Sequence, residues 1–208
     1  MQILVWLLLE FGVSLLENGG IIAYRNYSES GNWEELFGEI NFDGLEIGED
    51  IEKRITIKNS GNISEFVRII ITKYWADKDG NKIENKNGGV DIDELIELNF
   101  TGDENWLIDE ARTTTERTLA YYKKAIDVRE ETGALIDSIK ISPDIYDYGY
   151  TISEDENGNI TVNYDINGLR MGIEVDAVQT HNAKVAIKSA WGIDVEISED
   201  ESTILEIY

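Results

Sequence analysis

Apolar and polar side chains alternate with a period of two along much of the chain after residue 40, which is the pattern of half-buried β-strands. The stretch "DIEKRITIKN" (50–59) places Ile51, Ile55 and Ile57 on one face and mostly charged side chains on the other. The stretch "EFVRIIITKYW" (65–75) is instead β-branched on both faces, which predicts a strand in the centre of a sheet.

Further strands are predicted, with one helix late in the chain. The strand candidates are 94–100, 105–110, 118–126, 134–142, a hairpin over 148–166, 168–178 and 193–197. In "NAKVAIKSAW" (182–191), Ala183, Ile187 and either Ala190 or Trp191 share one helical face, and Gly192 suits the helix end. Short strands between frequent turns predict a mainly β, antiparallel sandwich with one or two short helices.

The first apolar stretch, "ILVWLLLEFGVSLL" (3–16), is interrupted only by Glu10 and Ser14. It is short for a bilayer span, but it has the length of the apolar region of an export signal and precedes small residues. The absence of Lys and Arg before it counts against a signal, and a strand or amphipathic helix packed on the domain is the alternative. We therefore divide the chain into a signal-like leader or N-terminal arm (1–24) and a single β-sandwich domain (25–208).

The charge balance restricts the partners. The chain has 42 acidic and 18 basic residues, which gives a formal net charge of −24. Nucleic acids and anionic membranes are bound by clusters of Lys and Arg, so neither is an expected partner, and no stable membrane span is predicted. The chain has no cysteine, which excludes disulfides and thiolate-bound metals.

His181 is the only histidine of the chain, and it is therefore the first candidate for a catalytic or metal-binding residue. Zinc sites need several ligands, and the neighbouring Gln179 and Asn182 do not complete one. A structural position at a strand-to-helix junction explains His181 better. The hydroxyl-rich stretch "TTTERT" (113–118) lacks the surroundings of an activated nucleophile, and catalytic carboxylates cannot be singled out among 42 acids. The sequence therefore predicts no catalytic residue and no enzyme.

Calcium is the one cofactor candidate, and it is a weak one. The stretch "ADKDGNKIE" (76–84) places Asp77, Asp79 and Asn81 at alternate positions around Gly80. The glycine and the following Glu are out of register with a calcium-binding loop, so a hairpin turn is the better explanation. The acidic stretch 154–159 has the same weakness. No cofactor is expected apart from this candidate.

The aromatic residues allow two interpretations. The chain has five Trp and ten Tyr, and Trp75, Trp106, Tyr121 and Tyr122 lie in predicted strands. An exposed row of such rings would bind carbohydrate, whereas core packing would bury them. We take core packing as the better interpretation and keep carbohydrate binding as the alternative.

Four stretches together resemble a known family. They are "GGIIAYRN" (19–26), "LEIGEDIEKRITIKNSGNISEFVRIIITKYW" (45–75), "LAYYKKAIDVREETGALIDSIKIS" (119–142) and "VDAVQTHNAKVAIKSAWG" (175–192). In this order and spacing they resemble the TasA and camelysin group, which is exported by a SipW-type signal peptidase of Gram-positive bacteria. The resemblance covers most of residues 19–197.

The resemblance implies a jelly-roll sandwich that is secreted and acts as a structural subunit of extracellular or biofilm-matrix filaments at the cell surface. It also implies a head-to-tail homopolymer in which each subunit donates an N-terminal strand to the next one. The donated arm would be Tyr24–Ile40 or, with the leader retained, Ile3–Leu16. The candidate partner-binding residues are Ile22, Tyr24, Tyr27, Trp33, Leu36, Phe37 and Ile40.

Two other functions remain open from the sequence. One is a monomeric sandwich that binds carbohydrate or the cell wall, and other matrix components are further candidate partners. The other is the metallopeptidase activity attributed to camelysin-type members, for which a chain with one histidine offers no ligand set.

Overall fold

The computed structural model describes residues 12–26, 37–40, 46–76, 81–83, 92–148, 150–154, 160–164 and 169–208. Two large sheets dominate these residues, and all of their strand pairings are antiparallel.

Sheet A has five strands, which are, in spatial order, β2 (Gly20–Asn26), β1 (Gly12–Glu17), β4 (Asp50–Asn59), β10 (Ile136–Ile141) and β7 (Ile96–Phe100). Sheet B consists of β3 (Phe37–Ile40), β13 (Leu169–Gln179), β5 (Glu65–Ala76), β9 (Arg117–Tyr122) and β8 (Trp106–Ile108), and the short β6 (Lys82–Ile83) pairs with the end of β5. Two hairpins are formed by β11 (Tyr150–Glu154) with β12 (Ile160–Tyr164), and by β14 (Val195–Ile197) with β15 (Ile204–Ile207). The helices are α1 (Ile92–Leu95), α2 (Ile145–Tyr148) and α3 (Ala183–Trp191).

The main core lies between sheets A and B. It contains the inward-facing residues of both sheets, such as Leu15 and Ile57 from sheet A and Ile69 and Ile173 from sheet B. Because side chains along a strand point alternately to its two faces, the period-two pattern of the sequence builds this core directly. The predicted antiparallel β-sandwich is therefore confirmed, while the jelly-roll connectivity stays a prediction.

A second core lies on the other face of sheet B. Phe66 and Tyr121 from this face pack with Ile187 and Trp191 of α3 and with residues of the β14–β15 hairpin. The first seven residues of β5 are thus covered on both faces, apart from partly exposed Arg68. This double burial explains why the "EFVRIII" stretch is apolar on both faces, as predicted for a central strand.

The late helix forms as its sequence predicts. Ala183, Ile187 and Trp191 are its buried residues. Gly192 follows in the left-handed region with φ 73°, and its N–H donates to the carbonyl of Lys188. A glycine in this conformation ends a helix without the steric cost that a side chain would bring.

The structure also describes part of the segment that the sequence divided off as a leader or arm. Residues 12–17 form β1, an internal strand of sheet A, and β2 begins at Gly20. The boundary predicted at residue 24 therefore falls inside β2, and both strands belong to the sandwich. The described residues Gly12–Glu17 thus form a strand packed on the domain, and the export signal stays a prediction.

Candidate functional site: strand β1 and the edge of sheet A

Strand β1 fills a position between two other strands. Each residue from Val13 to Glu17 has a register partner on β4, from Asn59 to Ile55, and β2 pairs along the other side. Val13 and Leu15 point into the main core and are 0% exposed. The sequence "GVSLL" carries no charged side chain, so burying it on all sides leaves no ionised group without water.

The turn after β1 is built for a tight hairpin. Asn18 and Gly19 have φ values of 49° and 79°, which are the two positive values of a two-residue type I′ turn. Asn18 also bonds to β4 on its far side, because its N–H donates to the Arg54 carbonyl at 2.9 Å and its Oδ1 accepts from the Arg54 N–H at 2.7 Å. The ion pair of Glu17 with Lys53 lies beside it.

The start of β1 makes a contact that crosses the sandwich. The Gly12 N–H donates to Oε1 of Glu65, on β5 of the opposite sheet, at 3.0 Å. The Gly12 carbonyl accepts from the Ser60 N–H at 2.9 Å. A Cβ at position 12 would lie 2.8 Å from the carbonyl oxygen of Arg25, so the close approach of β2 requires glycine here.

Glu65 is a carboxyl group in the core. It has the same inward parity on β5 as Val67 and Ile69, and it is 0% exposed. Within the described part of the chain, its Oε2 has no hydrogen-bond partner. Burial raises the pKa of Glu65 to about 8, against a smaller opposing effect of the Gly12 hydrogen bond. The side chain is therefore mostly protonated and uncharged at neutral pH.

The backbone around Glu65 is held by other bonds. Its N–H and carbonyl exchange hydrogen bonds of 3.1 and 2.8 Å with Ile126. The buried side chain of Asn59 donates to the carbonyls of Ile63 and Ile126, at 2.7 and 2.9 Å. These bonds fix β5 and the segment beside it, whereas the Glu65 carboxyl accepts its hydrogen bond from β1.

Strand β2 is an edge of sheet A and is apolar. Among the described residues its strand partner is β1 alone. Ile21, Ile22 and Tyr24 are 61, 39 and 75% exposed. The β2 sequence has no acidic residue, although the chain as a whole is strongly acidic. An edge strand with exposed apolar side chains and no repelling carboxylate is suited to pairing with another extended segment.

An ion-pair cluster connects this edge to sheet B. The carboxylate of Asp176 on β13 pairs with two arginines: its Oδ1 lies 3.3 Å from Nη1 of Arg25, and its Oδ2 lies 2.7 Å from Nη2 of Arg68. The guanidinium of Arg68 also lies 5.5 Å from the ring centre of Trp191. The cluster therefore joins β2, both sheets and α3 at one side of the molecule.

The residues predicted to bind a partner are distributed over two edges. Ile22 and Tyr24 lie on the exposed edge strand β2. Phe37 and Ile40 lie on β3, the edge strand of sheet B, where their register partners are Glu174 and Met171. Tyr27, Trp33 and Leu36 lie outside the described residues. The structure therefore brings Ile22 and Tyr24 together on one strand.

The described residues give no metal site. Asp77 and Asp79 of the calcium candidate lie outside them, and Asn81 is exposed beside β6. Over the described ranges, no group of three or more His, Asp or Glu residues could hold a metal ion. His181 is exposed between the end of β13 and the start of α3, which is the junction predicted for it.

The four aromatic residues singled out from the sequence are buried, so they form no exposed row. Trp75, Trp106, Tyr121 and Tyr122 are each at most 9% exposed. The Trp106 indole N–H donates to the Gly133 carbonyl at 2.8 Å, and its ring centre lies 5.0 Å from that of Tyr122. The core-packing interpretation of these residues is confirmed.

Sequence reasoning missed the two residues that join the sheets at the start of β1. Glu65 stands two residues before Val67 in a strand with alternating faces, and this parity was the available signal for an inward-facing carboxyl. The role of Gly12 had no such signal, because it depends on how closely Arg25 approaches in space.

Comparisons with known proteins found no matching family model, no matching curated protein and no matching solved structure. The resemblance to the TasA and camelysin group therefore stays a prediction. In the part of the chain that the structure describes, no helix is long and apolar enough to cross a membrane.

Proposed function

We propose that this protein is a secreted structural subunit whose copies join into extracellular filaments by strand addition, with β1 as the strand that passes between copies. The observation that carries the proposal is the position of β1, which lies between two neighbouring strands, is uncharged and buried from Gly12 to Leu16, and is followed by an edge strand with exposed apolar side chains. Export and matrix location are supported by the family resemblance of the sequence.

The exchange would preserve the contacts of β1, but β1 and its partner strands would then belong to different copies. If the Asn18–Gly19 turn opens, β1 can leave its own sheet and pair with β4 of a neighbouring copy in the same register. Full burial of each apolar side chain such as Val13 or Leu15 stabilises by roughly 1.5–3 kcal/mol, and this gain is equal within one chain or between two.

The geometry of exchange decides the product. A copy that gives β1 to one neighbour and receives β1 from another has two different contact surfaces. Such head-to-tail contacts do not close on themselves unless the rotation completes a ring, so they extend into filaments. Of the two arms predicted from the sequence, the structure favours the earlier one as the donor, because Ile3–Leu16 includes most of β1.

The absence of cysteine allows a direct test with engineered disulfides. Ser14 on β1 and Lys58 on β4 are register partners. Opposite residues of antiparallel strands lie about 4.5–5.5 Å apart at Cα, which suits a disulfide. We expect that the single variants Ser14→Cys and Lys58→Cys, unfolded together, refolded and oxidised, give a disulfide-linked heterodimer on a non-reducing gel.

Two controls define the outcome. The exposed Lys184 of α3 has no register partner on β1, so mixing Ser14→Cys with Lys184→Cys should give no more than background linkage. The double variant S14C/K58C should lock β1 within its own chain when oxidised and prevent filaments in electron micrographs, and reduction should restore them. Unlinked monomers in the first mixture, or filaments from the locked variant, would refute exchange of β1.

A further inference from the structure

We infer that the contact between Glu65 and Gly12 makes the docking of β1 dependent on pH: the neutral carboxyl holds the start of the strand, and loss of its proton loosens that start. The contact joins the same two residues whether β1 belongs to its own chain or comes from a neighbouring copy, so the inference holds in either case. It rests on the position of the group, which is a fully buried carboxyl reaching across the sandwich to the first described residue of β1.

The neighbours of Glu65 offer no compensating charge. Gly12 and Asn59 are neutral, and Gln179, the register partner of Glu65 on β13, is neutral as well. Charged residues on the adjoining segments have other partners, and Lys58, next to Asn59, pairs with Glu131. Arg25 on β2 pairs with Asp176, and Asp127, next to Ile126, accepts from the Ser64 hydroxyl at 2.7 Å. An ionised Glu65 would therefore depend on water for its solvation.

Ionisation of Glu65 affects β1 because the other segments packed around Glu65 are held by hydrogen bonds that do not involve its carboxyl group. The backbone of Glu65 is bonded in both directions to Ile126, and the Asn59 side chain ties the adjacent segment. The Gly12 N–H donates to the carboxyl itself, and this bond favours the ionised form, but burial penalises that form more strongly. Water can reach the unpartnered Oε2 most cheaply if the start of β1 separates from β5, and this movement opens the end of the strand.

The expected pH range follows from burial, which raises the pKa of Glu65 to about 8. When the start of β1 opens and Glu65 meets water, the pKa of its carboxyl returns toward the ordinary value of 4.5. Between 4.5 and about 8 the open form therefore loses the proton while the docked form keeps it, so the open form gains population as the pH rises. Above about 8 both forms are ionised and the effect levels off.

Hydrogen exchange of backbone amides tests the inference on the wild-type chain and on Glu65→Gln, which keeps a side chain able to accept the Gly12 bond but cannot ionise. After correction for the intrinsic pH dependence of exchange, the protection of the Val13–Leu16 amides should fall at least tenfold between pH 6 and pH 9.5 in the wild type. In Glu65→Gln the same amides should change less than threefold. The exposed Glu97 of β7 gives a matched control, and Glu97→Gln should behave as the wild type.

Three results would overturn the inference. They are an unchanged protection of β1 in the wild type, an equal loss of protection in Glu65→Gln, and an equal loss in the β5 amides, which would indicate global unfolding. The carboxyl carbon of Glu65 provides a measurement that needs no variant. Its NMR shift should titrate with a midpoint near 8, and a midpoint near the ordinary value of 4.5 would contradict the inference on its own.

Discussion

At the scale of single residues, the stability of this protein depends on a proton. A carboxyl whose pKa is raised in the folded state favours folding only while it is protonated. Glu65 meets this condition through burial, since its one hydrogen bond to Gly12 opposes the shift and is too weak to cancel it. A buried acid of this kind ties stability to the pH of the surroundings.

The first prediction concerns the free energy of unfolding as a function of pH. Below pH 4.5 the folded and unfolded chains both hold the Glu65 proton, and above about 8 neither does. Between these values the unfolded chain has lost the proton and the folded chain retains it, so stability falls as the pH rises, by about 1.4 kcal/mol per unit. The total loss should be roughly 3–5 kcal/mol.

Urea denaturation at several pH values across this window measures the effect. The net negative charge also weakens the fold as the pH rises, so the quantity to compare is the difference between the wild type and Glu65→Gln. This difference should move in favour of Glu65→Gln as the pH rises. A difference that stays constant with pH would show that Glu65 ionises in the folded state as it does in the unfolded chain.

At the scale of elements, the strands and helices that could be predicted were those with a periodic pattern of apolar residues or with a residue suited to end a helix. β13 and α3 were predictable because Leu169, Met171 and Ile173 alternate and because Gly192 can end a helix. For β1 a strand was only the alternative to an export signal, since a continuous apolar run is consistent with both. What distinguishes them is the pairing with β4, a contact between residues far apart in sequence.

The second prediction tests whether β1 is part of the core. Leu15→Ala removes a fully buried side chain and should lower the free energy of unfolding by about 2–5 kcal/mol. Ile21→Ala, in the same hairpin but 61% exposed, should change it by less than about 0.5 kcal/mol. Urea denaturation of both variants provides the comparison. Equal and small effects would mean that β1 does not contribute to the fold, as expected of a removable leader.

At the scale of the whole molecule, the charge of −24 opposes any assembly of identical copies. The described edge at β2 is exceptional because it lacks acidic side chains and exposes Ile21 and Tyr24. Copies that approach through this edge bring apolar surfaces together, but the net negative charges of the two molecules still repel each other at longer range. We therefore expect salt to control how often copies meet. Under the proposed strand exchange, β1 and Glu65 would then control whether copies that have met exchange strands.

The third prediction follows from this repulsion. The Debye length shortens from roughly 20 Å at about 0.02 M salt to roughly 6 Å at about 0.3 M, so the repulsion between copies becomes short-ranged. Under the proposed strand exchange, filament growth followed by light scattering should accelerate at least tenfold over this range. The stability of the monomer, measured by urea denaturation in the same buffers, should change far less, so that the acceleration reflects encounters rather than unfolding. Growth that is slower at high salt would show that attractive charge pairs rather than apolar strands join the copies, and growth independent of salt would show that repulsion does not limit their encounter.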